Sequence, residues 1–272
     1  MSQQQKGVDQ ADMSADIELE RVDQGRRGFL GTAAGLGAAS LASGLVLLRS
    51  AEAAPRTEPV TDEHRWGMLI DSAKCADGCS ACVAACDREN GLNLQAEPLG
   101  DDARKWENQR ANWIRKVKLK DNATGHVSNL PLMCQHCDNP PCVDVCPTGA
   151  SFKRADGIVM VDRHSCIGCR YCMMACPYKA RSFIHEQVGY KLTRAPRGKG
   201  CVESCNLCAH RLDAGDISTA CADACAAEGH HAILFGDLND ETGPLRQALR
   251  EQHTQQIRDD LGLDTSVRYA GV

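Results

Sequence analysis

Sixteen of the chain's seventeen cysteines fall into four groups of four, with spacings typical of ligands to iron–sulfur clusters. In chain order the groups are Cys75, Cys79, Cys82 and Cys86; Cys134, Cys137, Cys142 and Cys146; Cys166, Cys169, Cys172 and Cys176; and Cys205, Cys208, Cys221 and Cys225. The third group has the spacing C-x2-C-x2-C-x3-C-P, in which three close thiolates hold one cluster and the fourth reaches another. Four such groups predict four [4Fe–4S] clusters, which carry single electrons.

The spacing follows from the shape of the cluster. Each iron corner of a [4Fe–4S] cube needs one thiolate, and two residues between cysteines allow a tight loop to reach three corners. The fourth corner needs a cysteine from elsewhere in the chain. Pro147 and Pro177 directly follow the last cysteines of the second and third groups. Because proline cannot continue a helix or donate an N–H, it turns the chain away from the cluster.

Structural zinc and disulfide bonds are the two alternative uses of so many cysteines. Zinc sites also take four thiolates from paired C-x2-C loops, and an exported chain rich in cysteine often carries disulfides. Three cysteines within seven residues, at Cys166–Cys172, suit a cubane better than two separate zinc loops. Disulfide frameworks seldom repeat in register as these groups do. Iron–sulfur clusters are therefore the favoured interpretation.

The first 53 residues have the organisation of a twin-arginine export signal. A polar stretch ends at Arg26-Arg27, an uncharged stretch rich in Gly, Ala and Leu follows over 28–48, and a small-x-small site stands at Ala51–Ala53. This route exports folded proteins, which suits a protein that receives its clusters before export. A retained membrane anchor is the alternative, because about 20 apolar residues can span a bilayer. The modest hydrophobicity of the stretch favours cleavage after this site and a periplasmic mature protein.

The rest of the chain divides into a polar linker (54–64), a cysteine-rich body (65–237) and a C-terminal helix and tail (238–272). The cysteine groups form an internal repeat that predicts two duplicated units, namely unit one from 65–88 plus 200–237 and unit two from 130–185. Only 4% of the residues are aromatic, so the apolar core is thin and cluster binding supplies folding free energy. The predicted fold class is α+β, with duplicated ferredoxin-like units of short strands, short helices and long loops. A formal net charge of −5 gives no indication of nucleic-acid binding.

Short elements are predicted beside the cysteine loops. The predicted strands are Trp66–Asp71, Trp113–Lys118 and Ile158–Val161, and the predicted helical turns are Cys82–Arg88 and Cys172–Cys176. In the tail, helical spacing predicts one helix that carries Leu245, Leu249, Ile257 and Leu261. The stretch Ser266–Tyr269 is predicted as a strand or as an arm that holds a neighbour.

Few residues outside the four groups suggest chemistry. Cys201, the seventeenth cysteine, is interpreted as a buried inert thiol beside Cys205, with a spare ligand or a redox thiol as alternatives. His136 lies between two cysteines and is predicted to hydrogen-bond near a cluster rather than to bind iron. The basic stretch Arg194–Lys199 is interpreted as a solvated loop, with a surface for an acidic partner as the alternative. No catalytic arrangement stands out, so the chain is predicted not to be an enzyme by itself.

With these motifs in place, the chain resembles the four-cluster ferredoxin subunits that pair with NrfD-like membrane proteins and with molybdopterin enzymes. Within that family it is most similar to the DsrO group, periplasmic subunits of transmembrane complexes of dissimilatory sulfur metabolism. The stretches that carry this resemblance are His64–Met68 (HRWGM), Gly200–Arg211 (GCVESCNLCAHR), Ala232–Asp240 (AILFGDLND), Leu261–Leu263 and Val267–Tyr269.

The resemblance implies that the fourth cysteine of each group crosses to another group. The implied ligand sets are Cys75, Cys79, Cys82 and Cys225; Cys86, Cys205, Cys208 and Cys221; Cys134, Cys137, Cys142 and Cys176; and Cys146, Cys166, Cys169 and Cys172. The chain departs from the family pattern in three places. Three residues, not two, separate Cys75 from Cys79, and Asp87 and Ala226 stand where proline often follows the last cysteine.

The resemblance also implies partners and a role. The chain would relay electrons between a periplasmic multihaem cytochrome c and an NrfD-like quinone-interacting membrane protein, among the other members of one complex. The alternatives are the electron-transfer component of a periplasmic molybdopterin oxidoreductase, of the tetrathionate or polysulfide type, and that of the cytochrome nitrite reductase system. A zinc-stapled interaction scaffold is the alternative from a different class.

Overall fold

Short strands and helices alternate along the described part of the chain, where the longest helix has ten residues. The computed structural model describes residues 59–92, 109–120, 122–125, 127–189, 192 and 197–272. The strands are β1 (Trp66–Asp71), β2 (Arg115–Lys120), β3 (Val127–Leu132), β4 (Ser151–Lys153), β5 (Val159–Val161), β6 (Ser182–Phe183), β7 (Val202–Glu203), β8 (Ile233–Asp237) and β9 (Val267–Ala270). The α-helices are α1 (Ala81–Asn90), α2 (Pro141–Asp144), α3 (Tyr171–Ala175), α4 (Ala209–Asp213), α5 (Ala220–Ala227) and α6 (Pro244–Glu251).

The main sheet joins the two ends of the described chain. Its strand order is β8-β1-β9, with β1 antiparallel to β8 and parallel to β9. Met68 lies opposite Phe235 on one side and Val267 on the other. All three side chains are buried, so the apolar run of β1 becomes the centre of a small core. The remaining sheets pair β2 with β3, β4 with β5, and β6 with β7, all antiparallel.

Cysteine forms a large part of the buried core. The principal apolar cluster contains aliphatic residues, Trp113 and Tyr269, together with cysteines from all four groups. The helices that follow the cysteine loops pack in pairs, α1 against α5 and α2 against α3. The architecture is thus a mixed α+β fold in which the cysteine loops lie at the contacts between elements.

The predicted strands are present with small shifts. The strand predicted at Trp113–Lys118 begins two residues later, at Arg115, and the one predicted at Ile158–Val161 begins at Val159. The helical turn predicted at Cys82–Arg88 is part of α1, which ends where Gly91 takes a left-handed conformation with φ 65°.

The predicted single tail helix was too long. Helix α6 carries Leu245 and Leu249 but ends at Glu251, because Gln252 is extended (φ −118°, ψ 144°). The chain then runs back so that Gln255 pairs with Tyr269, the N–H of each donating to the carbonyl of the other. Ile257 lies outside the helix, and Leu261 ends a short 3₁₀ turn, Asp259–Leu261. Tertiary pairing with β9 therefore overrides the helical spacing.

The C-terminal strand also holds the second cysteine group in place. Gln135 Nε2 donates a hydrogen bond to the Tyr269 hydroxyl (3.0 Å), which in turn donates to the Pro131 carbonyl (3.3 Å). The Ser266 N–H donates to the Gln135 carbonyl (3.0 Å). The predicted export signal and most of the predicted linker lie outside the described residues. In the part of the chain that is described, no helix has the length and apolarity to cross a bilayer.

Candidate iron–sulfur centres

Two sets of four cysteines line cavities that join distant parts of the chain. In the first, Cys134, Cys137 and Cys142 share one cavity with Cys176, which belongs to the next cysteine group. Pro140, Pro141, Pro177, Tyr178 and Arg181 complete its walls. The thiols surround a volume instead of meeting at a point, as expected when each sulfur binds a different corner of a cube.

The second cavity has the reciprocal composition. Cys166, Cys169 and Cys172 line it together with Cys146, the last cysteine of the preceding group. The two groups therefore exchange their fourth members across the contact between α2 and α3. Cys169 is exposed, while Cys172 is buried, so this cavity lies near the protein surface.

The first and fourth cysteine groups are brought together by the contact between α1 and α5. Cys86 interacts electrostatically with the Cys205, Cys208 and Cys221 thiols. Cys82 interacts in the same way with Cys75 and Cys225. The fourth member of each group again lies among the members of the other group. Cys79 lies on the loop before α1 and is half-buried.

Each cysteine loop has a residue with left-handed backbone conformation at the same position. This residue stands directly before the second cysteine of its group, namely Gly78 (φ 75°), His136 (φ 45°), Gly168 (φ 71°) and Leu207 (φ 51°). Left-handed conformations disfavour residues with a Cβ. The same backbone turn therefore recurs in all four groups, even where the sequence offers histidine or leucine.

Burial makes most of these thiols poor acids. Desolvation raises the pKa of Cys82 and of Cys142 to about 11 and that of Cys137 to about 12. The negative charge of neighbouring thiolates adds to the effect on the pKa of Cys137. Burial also raises the pKa of Cys86 and Cys205 well above the usual range. Such thiols lose their protons when a metal cation compensates the charge.

Polar groups are directed at the sulfur atoms. The Ser151 N–H donates to Cys146 Sγ (3.3 Å) and the Ala232 N–H to Cys225 Sγ (3.2 Å). Arg181 Nη2 donates to Cys142 Sγ (3.0 Å). Donors of this kind stabilise thiolate sulfur and set the potentials of iron–sulfur clusters. The spread donor sets, the cavities between them and these hydrogen bonds fit [4Fe–4S] clusters.

His136 is fully buried, and burial lowers its pKa to about 3, so the ring is neutral. Its Nδ1 accepts a hydrogen bond from the Val159 N–H (3.1 Å). The proton of the neutral ring therefore resides on Nε2, for which the described residues offer no acceptor. A buried N–H donor beside Cys134 and Cys137 agrees with the predicted role as a hydrogen-bond donor near a cluster.

Cys201 lies in a different place from the one expected. Its thiol is close to Cys166, with which it interacts, and Sγ donates to the Arg163 carbonyl (3.3 Å). Burial raises its pKa. The predicted neighbour was Cys205, but the pairing of β6 with β7 directs Cys201 toward the third cysteine group.

Two cations beside the cysteines were missed by the sequence analysis. Lys116 Nζ donates to the carbonyls of Ala76 (3.2 Å) and Cys79 (2.6 Å), inside the first cysteine loop. Arg181 is the second, at 5% exposure. Both lie far from their partners in sequence, so no local pattern reveals them.

The interpretation of the basic stretch was wrong for Arg197. Expected in a solvated loop, it is buried at 3% exposure and forms an ion pair with Glu203 (3.0 Å). It also donates to the Gly91 carbonyl (2.7 Å), at the end of α1. The buried Arg197 side chain thereby connects the end of α1 to β7.

The cysteines themselves are free thiols. None of the seventeen forms a disulfide. Among the described residues, no group of three or more His, Cys, Asp or Glu side chains is arranged to hold a single metal ion.

Comparison with known proteins agrees with this geometry. Residues 74–150 and residues 125–237 each match a family model described as a 4Fe-4S dicluster domain. The Hdr-like menaquinol oxidoreductase iron–sulfur subunit 1 of Archaeoglobus fulgidus is 38% identical over 239 residues, covering 78% of this chain and 86% of that protein. The chain belongs to this family of 4Fe-4S dicluster iron–sulfur proteins.

Other members of the family are also similar along most of their length. A tetrathionate reductase subunit of Salmonella typhimurium is 34% identical, covering 87% of this chain and 83% of that protein. Protein NrfC of Escherichia coli is 36% identical, and the match covers 73% of this chain and 77% of that protein. The chain is an electron-transfer component of an oxidoreductase complex and not a catalytic one.

Proposed function

We propose that this protein carries four [4Fe–4S] clusters, each held by three cysteines of one group and one cysteine of another. The ligand sets are Cys75, Cys79, Cys82 and Cys225; Cys86, Cys205, Cys208 and Cys221; Cys134, Cys137, Cys142 and Cys176; and Cys146, Cys166, Cys169 and Cys172. The observation that carries this proposal is the pair of cavities lined by cysteines of two groups each. When bound, the clusters accept and donate single electrons.

The ligand exchange divides the molecule into two ferredoxin-like units. Unit one comprises residues 65–88 and 200–237, and unit two comprises residues 130–185. In support, α1 packs on α5 and α2 packs on α3. Residues 1–53 are proposed to be a twin-arginine signal, 54–64 a linker and 238–272 a C-terminal helix and tail. The mature protein would then work in the periplasm.

In this role the protein is the DsrO-like component of a transmembrane complex of dissimilatory sulfur metabolism. It relays electrons between a multihaem cytochrome c and an NrfD-like membrane protein that reacts with quinone. Support comes from the stretches that resemble the DsrO group and from similarity to an iron–sulfur protein whose name specifies menaquinol oxidoreductase. The iron–sulfur cluster-binding component of a menaquinone reductase of Nitratidesulfovibrio vulgaris is also 35% identical and is covered over 88% of its length.

The contact with the membrane partner is proposed at the face around Cys169. Ile167, Tyr171 and Met174 are close to this exposed cysteine in the sequence, and Ile167 and Met174 are 67% and 68% exposed. Apolar exposure of this extent marks interaction surfaces. A ligand cysteine at the surface also shortens the distance over which an electron must cross to a partner.

Quinol-dependent reduction of the clusters in native membranes tests the proposed function. Addition of a menaquinol analogue to anaerobic, oxidised membranes should reduce the clusters, as seen by EPR. A triheme or other multihaem cytochrome c should be purified with the protein. Clusters that dithionite reduces but quinol does not, in membranes that retain the complex, would contradict the proposal.

A molybdopterin oxidoreductase is the second candidate assembly. The observation in its favour is the similarity to the tetrathionate reductase protein, which extends over 87% of this chain. The two candidates differ in the proteins that accompany this chain. Purification of the native complex with a large molybdopterin protein and without a cytochrome c would select the second candidate, and neighbouring genes should show the same difference.

A further inference from the structure

Arg181 is a buried cation whose surroundings are unlike those of the other buried arginines. Its side chain follows the third cysteine group and lines the cavity of Cys134, Cys137, Cys142 and Cys176. Nη2 donates to Cys142 Sγ at 3.0 Å. The Cys134 and Cys172 thiols also interact electrostatically with the guanidinium. Cys134 and Cys142 line one cavity, whereas Cys172 lines the other.

In the charge beside it, Arg181 differs from the buried Arg197 and from the partly buried Arg154. Arg154 is paired with Asp156 and Asp213, and Arg197 is paired with Glu203.

The groups that act most strongly on Arg181 are, by contrast, three cysteine thiols. Its Nε and Nη1 are buried without an acceptor among the described residues. A buried guanidinium costs several kcal/mol unless negative charge lies beside it. Its environment therefore requires an anion in the neighbouring cavities.

We propose that Arg181 is a shared potential-setting cation, which interacts with cysteine ligands of both clusters in unit two and raises the reduction potential of both clusters. This inference rests on the proposed function, because it assumes that both cavities hold clusters. The two unfilled N–H groups of the guanidinium then have acceptors in cluster or thiolate sulfur.

The physical reason is the sign of the charge change. A [4Fe–4S] cluster with four thiolates gains one negative charge when it is reduced. A fixed cation a few ångströms away stabilises the reduced form more than the oxidised form, and the low local dielectric strengthens the effect. Hydrogen bonds to the ligand sulfur act in the same direction. Because one guanidinium acts on both ligand sets, it raises the two potentials together.

Redox titration followed by EPR on the full-length, anaerobically purified protein tests this role. We expect Arg181→Met to shift the oxidised-to-reduced ratio of two clusters at least tenfold toward the oxidised form, which is about 59 mV for a one-electron couple. The other two clusters should keep their potentials. Arg181→Lys retains the charge but loses the forked hydrogen bonds, so both clusters should move in the same direction by a smaller amount.

Arg250→Met is the matched control, because it removes the same charge from a surface ion pair with Glu241. All four potentials should be unchanged in this variant. If Arg181→Met loses its clusters, the reduction potentials measured for Arg181→Lys test the inference instead. Unchanged potentials in the cluster-loaded Arg181 variants, a change in only one cluster, or an equal change in all four would overturn the inference. A wild-type protein without clusters would refute the proposed function, which is a different outcome.

Discussion

At the scale of single residues, Lys116 compensates for the irregular spacing of the first cysteine group. The loop from Cys75 to Cys79 has one residue more than the usual spacing, and Lys116 holds the carbonyls of Ala76 and Cys79. The same charge favours the Cys82 thiolate and so opposes the rise in its pKa. The longer loop thus has a charged donor for two of its backbone carbonyls.

Replacement of this lysine should weaken one cluster selectively. Lys116→Met leaves two carbonyls without their charged donor, at a cost of about 1.5–3 kcal/mol per hydrogen bond to a charged group. We expect faster iron release from the cluster of Cys75, Cys79, Cys82 and Cys225, measured by the loss of one EPR component in air. Lys118→Met is the control. Lys118 lies on the same strand as Lys116 but forms only an exposed ion pair, with Asp77. Equal release rates in the two variants would contradict this role.

The buried pair of Arg197 and Glu203 should be a strong stabilising contact once formed. Arg197→Met leaves the Glu203 carboxylate buried and without its nearest cation, which costs about 3–5 kcal/mol. Denaturant unfolding under anaerobic conditions should show this loss. The double variant with Glu203→Gln should recover part of it, because the buried carboxylate, which would keep only the longer contact with Arg163 (3.7 Å), is then replaced by a neutral group.

The control for this pair is Arg258→Met, which breaks an exposed pair with Asp260. It should leave the free energy of unfolding nearly unchanged, because exposed ion pairs contribute little to stability. If Arg197→Met has no larger effect than this control, the buried ion pair does not stabilise the fold.

At the scale of elements, the cysteine loops depend on a left-handed residue before the second cysteine. Gly168 has φ +71°, and a Cβ at this position would lie 2.2 Å from the Gly200 carbonyl oxygen. Neither the loop nor the residue opposite can yield without moving Cys166 and Cys169. The close approach of the two backbones therefore requires glycine.

Gly168→Ala should abolish the cluster of Cys146, Cys166, Cys169 and Cys172 and leave the other three in place. Iron content should fall by about four atoms per chain, the content of one cubane. Gly215→Ala provides the control, because Gly215 also has positive φ (+94°) but faces open space. It should cost only the left-handed strain of about 1–2 kcal/mol and retain all the iron. Full iron content in Gly168→Ala would show that glycine is not required at position 168.

The cysteine loops and strand β1 were predicted from local sequence. Both the spacing of cluster ligands and the residue pattern of a strand extend over only a few residues. Glycine at positions 78 and 168 indicates the left-handed turn, whereas His136 and Leu207 adopt it without any signal. Lys116 and Arg181 contact their partners across 37 and 39 residues, so only the fold reveals them. The length of the tail helix was wrong for the same reason, since β9 pairs with the stretch after α6. The spacing indicated that a fourth cysteine reaches another cluster, but which groups exchange cysteines was inferred from family resemblance.

At the scale of the whole molecule, the exposed apolar face around Cys169 should govern association with the membrane partner. Met174→Glu places a charge in this face, and a buried unpaired charge opposes binding. We expect unchanged iron content, loss of the protein from membranes after a salt wash and loss of quinol-dependent cluster reduction. Ile217→Glu is the control, because Ile217 is 79% exposed on a loop far along the chain from the third cysteine group. Normal quinol-dependent reduction in Met174→Glu would place the contact elsewhere.

The central claim is that the four cysteine groups together hold four cubanes, and the iron and acid-labile sulfide content of the anaerobically purified full-length protein tests it most directly. Four clusters require about sixteen iron and about sixteen sulfide per chain, with EPR signals after reduction. Zinc in place of iron, or iron without inorganic sulfide, would contradict the account.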